Sequence, residues 1–261
     1  MKKLLTITAI GLGLIVASAA NAATVLITGS NKGIGLEFAK EYAEKGWTVI
    51  ATARHTDAAE LQALAKAHKN IAIEKLDVTD LAGIQALAAK LKGKPIDLLI
   101  NNAAMLGDTK QHLMGHFNRD LFRQIMDTNA YGPIAVTEAF FENIKASEQK
   151  KVVSITSQAG SISQSPYIGA ILFYRMSKAA ANMAMQSLKA DTKGSGIIFA
   201  SVAPGLVDTD MEKELGNALP IQMPKPISPA ESVSGMIKVI DALTAQNSGK
   251  VFNYTGENIA F

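Results

Sequence analysis

Cysteine is absent from all 261 residues, so no disulfide framework holds this chain together, and an oxidising compartment would find no stray thiol in it. A dominant charge sign is missing too. With 26 basic and 23 acidic residues the formal net charge is +3, and there is no basic stripe of the kind that phosphate-backbone binding requires, so nucleic acid is not an expected partner. Beyond the first twenty residues no run approaches the ~18 uninterrupted apolar residues of a membrane helix. Any membrane attachment would have to come from an N-terminal segment that stays uncleaved. Internal repeats and low-complexity tracts are lacking. So is the G-x-S-x-G elbow that would support an esterase on an α/β architecture. His112 and His116 stand at i and i+4, the spacing of a helical metal pair, but Leu113 takes the place of the glutamate in H-E-x-x-H and no third ligand is evident. No metal is expected.

What is present begins with a leader. Met1-Lys2-Lys3, the mostly apolar run Leu4 to Ala20 and the small-residue triplet Ala20-Asn21-Ala22 have the three-part layout of a secretory signal, with cleavage expected after Ala22. Residues 1–22 are therefore read as a signal peptide and 23–261 as a single domain, with a periplasmic or otherwise exported location expected and a cytoplasmic form as the alternative. Removing Lys2 and Lys3 with the leader takes the formal charge from +3 to +1.

Seven β-rich runs follow, at Thr24–Thr28, Thr48–Ala53, Ile71–Leu76, Ile96–Asn101, Val152–Thr156, Ile197–Val202 and Val251–Tyr254, and amphipathic helical stretches separate most of them. Continuous apolar strands such as Leu98-Leu99-Ile100 belong in a sheet covered on both faces. Strand–helix alternation implies right-handed crossovers, hence a Rossmann-like, doubly wound parallel α/β sheet of about seven strands with helices on both faces. Gly46 closes the first helix, and Ser228-Pro229-Ala230-Glu231 reads as a capping box with proline at the first helical position. Gly216 to Pro226, with three prolines, is the expected lid.

Between the first strand and the first helix lies Thr28-Gly29-Ser30-Asn31-Lys32-Gly33-Ile34-Gly35. At such a junction backbone N–H groups and the helix dipole can receive a pyrophosphate, and glycines let it approach closely. The spacing is G-x-x-x-G-x-G and not the G-x-G-x-x-G of the general fingerprint. Lys32 lies inside the turn and Arg54 ends the second strand, where no acidic residue stands. A carboxylate there would bind the ribose hydroxyls of NAD, whereas cations accept the 2′-phosphate of NADP, so NADP(H) is expected in preference to NAD(H).

Tyr174 and Lys178 are four residues apart, so on a helix they share one face with Cβ atoms ~5–6 Å apart. A free phenol titrates near ~10, and moving it towards neutrality takes about 3 units, or ~4 kcal/mol. A cation at ~4 Å in an effective dielectric of ~20 supplies about that much. The expectation is that Lys178 lowers the Tyr174 pKa, and that Tyr174 exchanges a proton with a carbonyl or alcohol oxygen as hydride moves.

Together these segments resemble the short-chain dehydrogenase/reductases over essentially all of residues 24–261. Thr28 to Gly35 is similar to that family's glycine turn, Asp77-Val78 to its adenine contact, Asn101-Asn102-Ala103-Ala104 to its N-N-A-G element, and Tyr174-Arg175-Met176-Ser177-Lys178 to its Y-x-x-x-K. Pro204-Gly205-Leu206-Val207-Asp208-Thr209 resembles the segment whose threonine holds the nicotinamide carboxamide. Within the family, the stretch from Ser228 through Gly249 to Tyr254 looks closest to the C-factor and sniffer-like carbonyl reductases.

The resemblance implies a cofactor site made of Gly29, Ser30, Asn31, Lys32, Gly33, Ile34, Gly35, Arg54, Asp77, Val78, Asn102, Ala103, Ala104, Pro204, Gly205, Val207 and Thr209. It also implies a catalytic set of Tyr174, Lys178, Ser157 as oxyanion donor and Asn129 as a water-holding relay. Ser157 precedes Tyr174 by seventeen positions where the family commonly has thirteen, a spacing that Ser161 meets. Ser157 is preferred because it ends a parallel strand, and such ends open on the cofactor crevice. The extra residues, Ser163 to Gly169, would lengthen the substrate-side loop. Met105–Asn118, that loop and Gly216–Pro226 would shape a pocket for a small or hydrophobic carbonyl or alcohol. A homodimer or homotetramer is implied as well. A nucleotide-binding signalling protein of the same fold with little turnover is the alternative function.

Overall fold

In the computed structural model the described residues are 22–163, 171–218 and 223–260. The expected leader, apart from Ala22, lies outside them, as do most of the Ser163–Gly169 loop and residues 219–222 of the expected lid. Among the described residues the strands are β1 (Thr24–Thr28), β2 (Thr48–Ala53), β3 (Ile71–Lys75), β4 (Leu98–Asn101), β5 (Lys151–Ile155), β6 (Ile198–Ala203) and β7 (Val251–Asn253). The helices are α1 (Gly33–Glu44), α2 (Ala59–Ala67), α3 (Leu81–Lys90), α4 (Arg119–Met126), α5 (Gly132–Ala139), α6 (Phe141–Lys145), α7 (Leu172–Asp191), α8 (Asp210–Ala218) and α9 (Pro229–Asp241). None of the described helices is long and apolar enough to cross a membrane.

All the strand pairings are parallel, in the order β3-β2-β1-β4-β5-β6-β7. The order reverses between β1 and β4, and at such a switch point the loops leaving neighbouring strands diverge and open a crevice. Alternate residues of the central strands face opposite layers. Val153, Ile155, Ala200 and Val202 pack with α1 and α9, while Val152 and Phe199 pack with α3, α5 and α7. This two-sided burial is why the strands read as unbroken apolar runs.

Local chemistry fixes the helix ends. After α1, Gly46 adopts φ +80° and donates to the Ala43 carbonyl, while Trp47 N–H donates to that of Tyr42, both at 3.0 Å. This is a Schellman closure, sealed by the Trp47 ring 4.9 Å from that of Tyr42. Ser228 caps α9 by accepting from Glu231 N–H at 3.1 Å, with Pro229 in the first turn. The serine half of the expected capping box is thus formed.

Candidate active site

The glycine turn is built from both sides of the switch point. Thr28 Oγ1 accepts from the N–H groups of Asn102 and Ala103, each at 3.0 Å. The Asn102 side chain donates back to the carbonyls of Thr28 and Gly29 at 2.9 and 3.1 Å. Loop and turn are so close that a Cβ on Gly35 would lie 2.2 Å from Gly29 O and one on Gly29 would lie 2.9 Å from Ala103 Cα. Gly29 and Gly33 also take φ of +69° and +55°, a region that side chains disfavour. Helix α1 starts at Gly33 without a side-chain cap, so its first N–H groups are left to an incoming anion.

The remaining expected cofactor residues have different commitments. Ser30 is fully buried, its N–H donating to Thr52 O and its hydroxyl to Ile27 O. It shapes the turn and has no donor left over. Asn31 and Ile34 are half-buried. Lys32 forms an exposed 2.7 Å ion pair with Asp210 at the start of α8, and Arg54 is exposed at the end of β2. Asp77 Oδ1 accepts from Thr79 N–H and hydroxyl at 2.9 and 2.8 Å. Val78 packs over Gly132, where a Cβ would come within 3.0 Å of its side chain. Beyond β6, Pro204 O accepts from Ser232 and Gly205 fits under the Tyr254 ring. Val207 is buried, and Thr209, just before α8, accepts at Oγ1 from Glu212 N–H at 3.3 Å. Ala104 follows Ala103, half-buried.

At the end of β5, Ser157 caps a short 3-10 turn (Gln158–Gly160), accepting from Ala159 N–H at 3.1 Å. Ser157 is also close enough to the Tyr174 phenol to favour the phenolate. Ser161, the alternative, is buried and donates to the Ala260 carbonyl. Gly160 lets this turn sit on α7, where a Cβ would be 2.9 Å from the Lys178 backbone. On α7 the lysine amino group lies 5.6 Å from the centre of the Tyr174 ring and donates to Ile155 O at 2.8 Å.

The expected electrostatics need correction here. Burial pushes Tyr174 up to about 12, only partly opposed by Ser157, and burial pushes Lys178 down to about 8. The lysine does not act on the phenol as the dominant charge, because its amino group is itself desolvated and is tied to a strand carbonyl. Tyr174 therefore holds its proton, which suits a donor.

Asn129 lies in a π-turn over Asp127–Tyr131 between α4 and α5. Its Oδ1 accepts from Met105 N–H at 2.8 Å, and its Nδ2 donates to Met105 O at 2.8 Å and to Ser177 Oγ at 3.0 Å. Ser177 in turn donates to Tyr174 O at 2.7 Å. Both amide protons are therefore engaged, and Asn129 clamps the loop after β4 against α7. Met105 and Ser177 were not singled out from the sequence; their partners lie 24 and 48 residues away, beyond any local spacing. His112 is buried and His116 exposed, so the two do not form a pair. A cavity of about 620 Å³ between α9 and the turn after β7, lined by Glu231, Lys238 and Tyr254 among others, includes none of the expected site residues.

Comparison with known proteins adds the following. The profile of the family described as short chain dehydrogenase matches residues 23–219. An uncharacterized oxidoreductase of Schizosaccharomyces pombe is 35% identical over 253 residues, covering 90% of this chain and 96% of its own length. The NADPH-bound carbonyl reductase from chicken fatty liver superposes with a TM-score of 0.82 at 32% identity, over 92% of this chain and 100% of its own. Carbonyl reductase Sniffer of Drosophila melanogaster gives 0.80 at 28% identity with the same coverage.

Proposed function

Since this chain belongs to the short-chain dehydrogenase/reductase family of oxidoreductases, we propose that it moves hydride between NADP(H) and a carbonyl or alcohol, with Tyr174 giving or taking the proton. One observation carries the reading: Ser157, Tyr174 and Lys178 meet at the carboxyl end of β5, two strands from a glycine turn that admits no side chain at Gly35. The relatives compared above are oxidoreductases, which does not favour the low-turnover signalling alternative.

The residues present fit a dinucleotide. Gly29, Gly33, Gly35 and the uncapped start of α1 would hold its pyrophosphate, Asp77 and Val78 its adenosine half, and Ala103, Pro204, Gly205, Val207 and Thr209 its nicotinamide half. Lys32 and Arg54 would meet a 2′-phosphate, which is the support for NADP(H) over NAD(H). When bound, the cofactor supplies or accepts the hydride. The chain's own part is the proton and the placement of the oxygen that receives it. Ser157 donates a hydrogen bond to the carbonyl oxygen and steadies the charge that grows there. Tyr174 Oη then transfers its proton to that oxygen, giving the alcohol. The Lys178 ammonium holds the tyrosine's helix against β5, and the Asn129 clamp holds it against the loop after β4, while this happens. A panel of aldehydes and ketones with NADPH, followed at the absorbance of the reduced nicotinamide, tests the reading; absence of oxidation across the panel would refute it.

A further inference from the structure

We propose that Ser161 is a positioning residue: its hydroxyl fastens the turn that carries Ser157 to the segment returning along β7, residues 257–260, and so holds the Ser157 hydroxyl where it meets the substrate oxygen. The proposal rests on the reading of Ser157 as oxyanion donor. The turn itself is small. It is a 3-10 turn of three residues, Gln158–Gly160, with Ser157 before it and Ser161 after it. Within it, Gly160 N–H donates to Ser157 O at 2.9 Å and Ser161 N–H to Gln158 O at 3.0 Å. Hydrogen bonds in a 3-10 turn have poorer geometry than those of an α-helix, so a piece this short takes its position from what it is fastened to. On one side that is α7, against which Gly160 packs at Lys178. On the other it is the Ala260 carbonyl, which accepts from Ser161 Oγ across 99 positions of the chain.

That carbonyl is itself held in place. After β7, Gly256 takes φ +93° and donates to Asn253 O at 2.9 Å, which reverses the chain. Asn253 N–H donates to Glu257 O and Ile259 N–H to Val251 O, each at 2.8 Å, and Phe252 pairs antiparallel with Asn258. Ile259 is buried against Ala203 of β6 and Val251 of β7. Residues 257–259 are thus bound to β7 along their length, and Ala260 follows directly. The two serines differ in where their protons go. A serine hydroxyl has one proton to donate. That of Ser161, which is 2% exposed, goes to Ala260 O, whereas the Ser157 oxygen accepts from Ala159 N–H at 3.1 Å and leaves its proton for the substrate oxygen. An apolar side chain would fill the buried place of Ser161 without a polar penalty, so what the hydroxyl adds there is the bond.

The test is a cycle of four proteins, the wild type, Ser161→Ala, Ser157→Ala and the double variant, assayed with a carbonyl that the wild type reduces. Ser161→Ala is expected to lower kcat about tenfold with NADPH binding unchanged, since small misplacement of a reacting group is costly in rate, and Ser161→Thr to recover part of the loss. In the Ser157→Ala background the same substitution is expected to cost nothing further, because it acts only through Ser157. A wild-type kcat in Ser161→Ala overturns the proposal. So does an equal loss in both backgrounds, which is what a general loosening of the fold would give. Amide hydrogen exchange is the second readout: Gly160 and Ser161 are expected to exchange faster in Ser161→Ala, and unchanged protection overturns the fastening. If Ser161→Ala does not fold, exchange in the wild-type protein decides, with protected amides expected at Gly160 and Ser161 and the rate of an open peptide overturning the proposal. Should the wild-type protein reduce no carbonyl, the reading of Ser157 fails by itself, while exchange at Gly160 and Ser161 still reports on the fastening.

Discussion

At Lys178, burial works against charge. The amino group is held on the Ile155 carbonyl with the side chain almost fully buried, and its pKa falls to about 8. Tyr174 is pushed the other way, to about 12, so across the neutral range the lysine is the member of the pair that titrates. For carbonyl reduction, kcat/KM, which reports the free enzyme, is predicted to be level below pH 8 and to fall above it as Lys178 loses its proton. A limb that starts only near 10, or one that stays in place in Lys178→Arg, would contradict this. The sign for stability follows from the same group. Between about 8 and the usual 10.5 the unfolded chain binds the extra proton, so the unliganded protein gains stability as pH rises through that window.

Lys32 is held by Asp210, but the pair is 62% and 63% exposed and contributes little to stability. Its expected worth lies in meeting a 2′-phosphate. Lys32→Ala is predicted to weaken NADPH binding about tenfold and to leave NADH binding unchanged, whereas Asp210→Asn, which frees the lysine, leaves NADPH binding the same or tighter. Fluorescence titration with both cofactors checks this. Equal losses for the two in Lys32→Ala would remove the lysine from that role. The Tyr174–Lys178 face and the glycine turn were legible in the sequence because each depends on local spacing. The clamp of Asn129 on Met105 and Ser177 was not, because it joins three segments, and the direction of the Tyr174 shift was missed because burial cannot be read from an i,i+4 relation.

Among the elements, the strands were the most readable. Each lies within two residues of its expected span, since a strand covered on both faces has to be apolar throughout. The π-turn at Asp127–Tyr131 left no such mark, although Asn129 within it was expected as a water-holding relay. Helix endings were legible where glycine is required. At Gly46 an added Cβ would meet nothing within 4 Å, so Gly46→Ala isolates the conformational cost of φ +80°. A loss of about 1–2 kcal/mol is predicted, which for a domain of this size lowers Tm by roughly 2–4 °C per kcal/mol. Calorimetry measures it, and an unchanged Tm would mean that the closure after α1 does not depend on the left-handed residue.

At the scale of the whole molecule, strand order does what no motif could announce. Placing β4 beside β1 brings Asn102 and Ala103 against the glycine turn, and placing β5 next to β4 brings Ser157 and α7 to the same rim. The glycine turn, Asn102, Ala103, Ser157 and Tyr174 thus gather at the carboxyl ends of the strands. The alternation of strands and helices implied a doubly wound sheet and hence a crevice, but which loops meet across it is a property of the closed sheet. The central claim is that this crevice carries hydride chemistry with Tyr174 as its acid. Its most direct test is Tyr174→Phe, assayed for NADPH oxidation with a carbonyl that the wild-type protein reduces and titrated in parallel for NADPH binding. The account predicts a rate lowered about 10²–10⁴-fold with cofactor affinity unchanged; a Phe variant that reduces the carbonyl at the wild-type rate would contradict it.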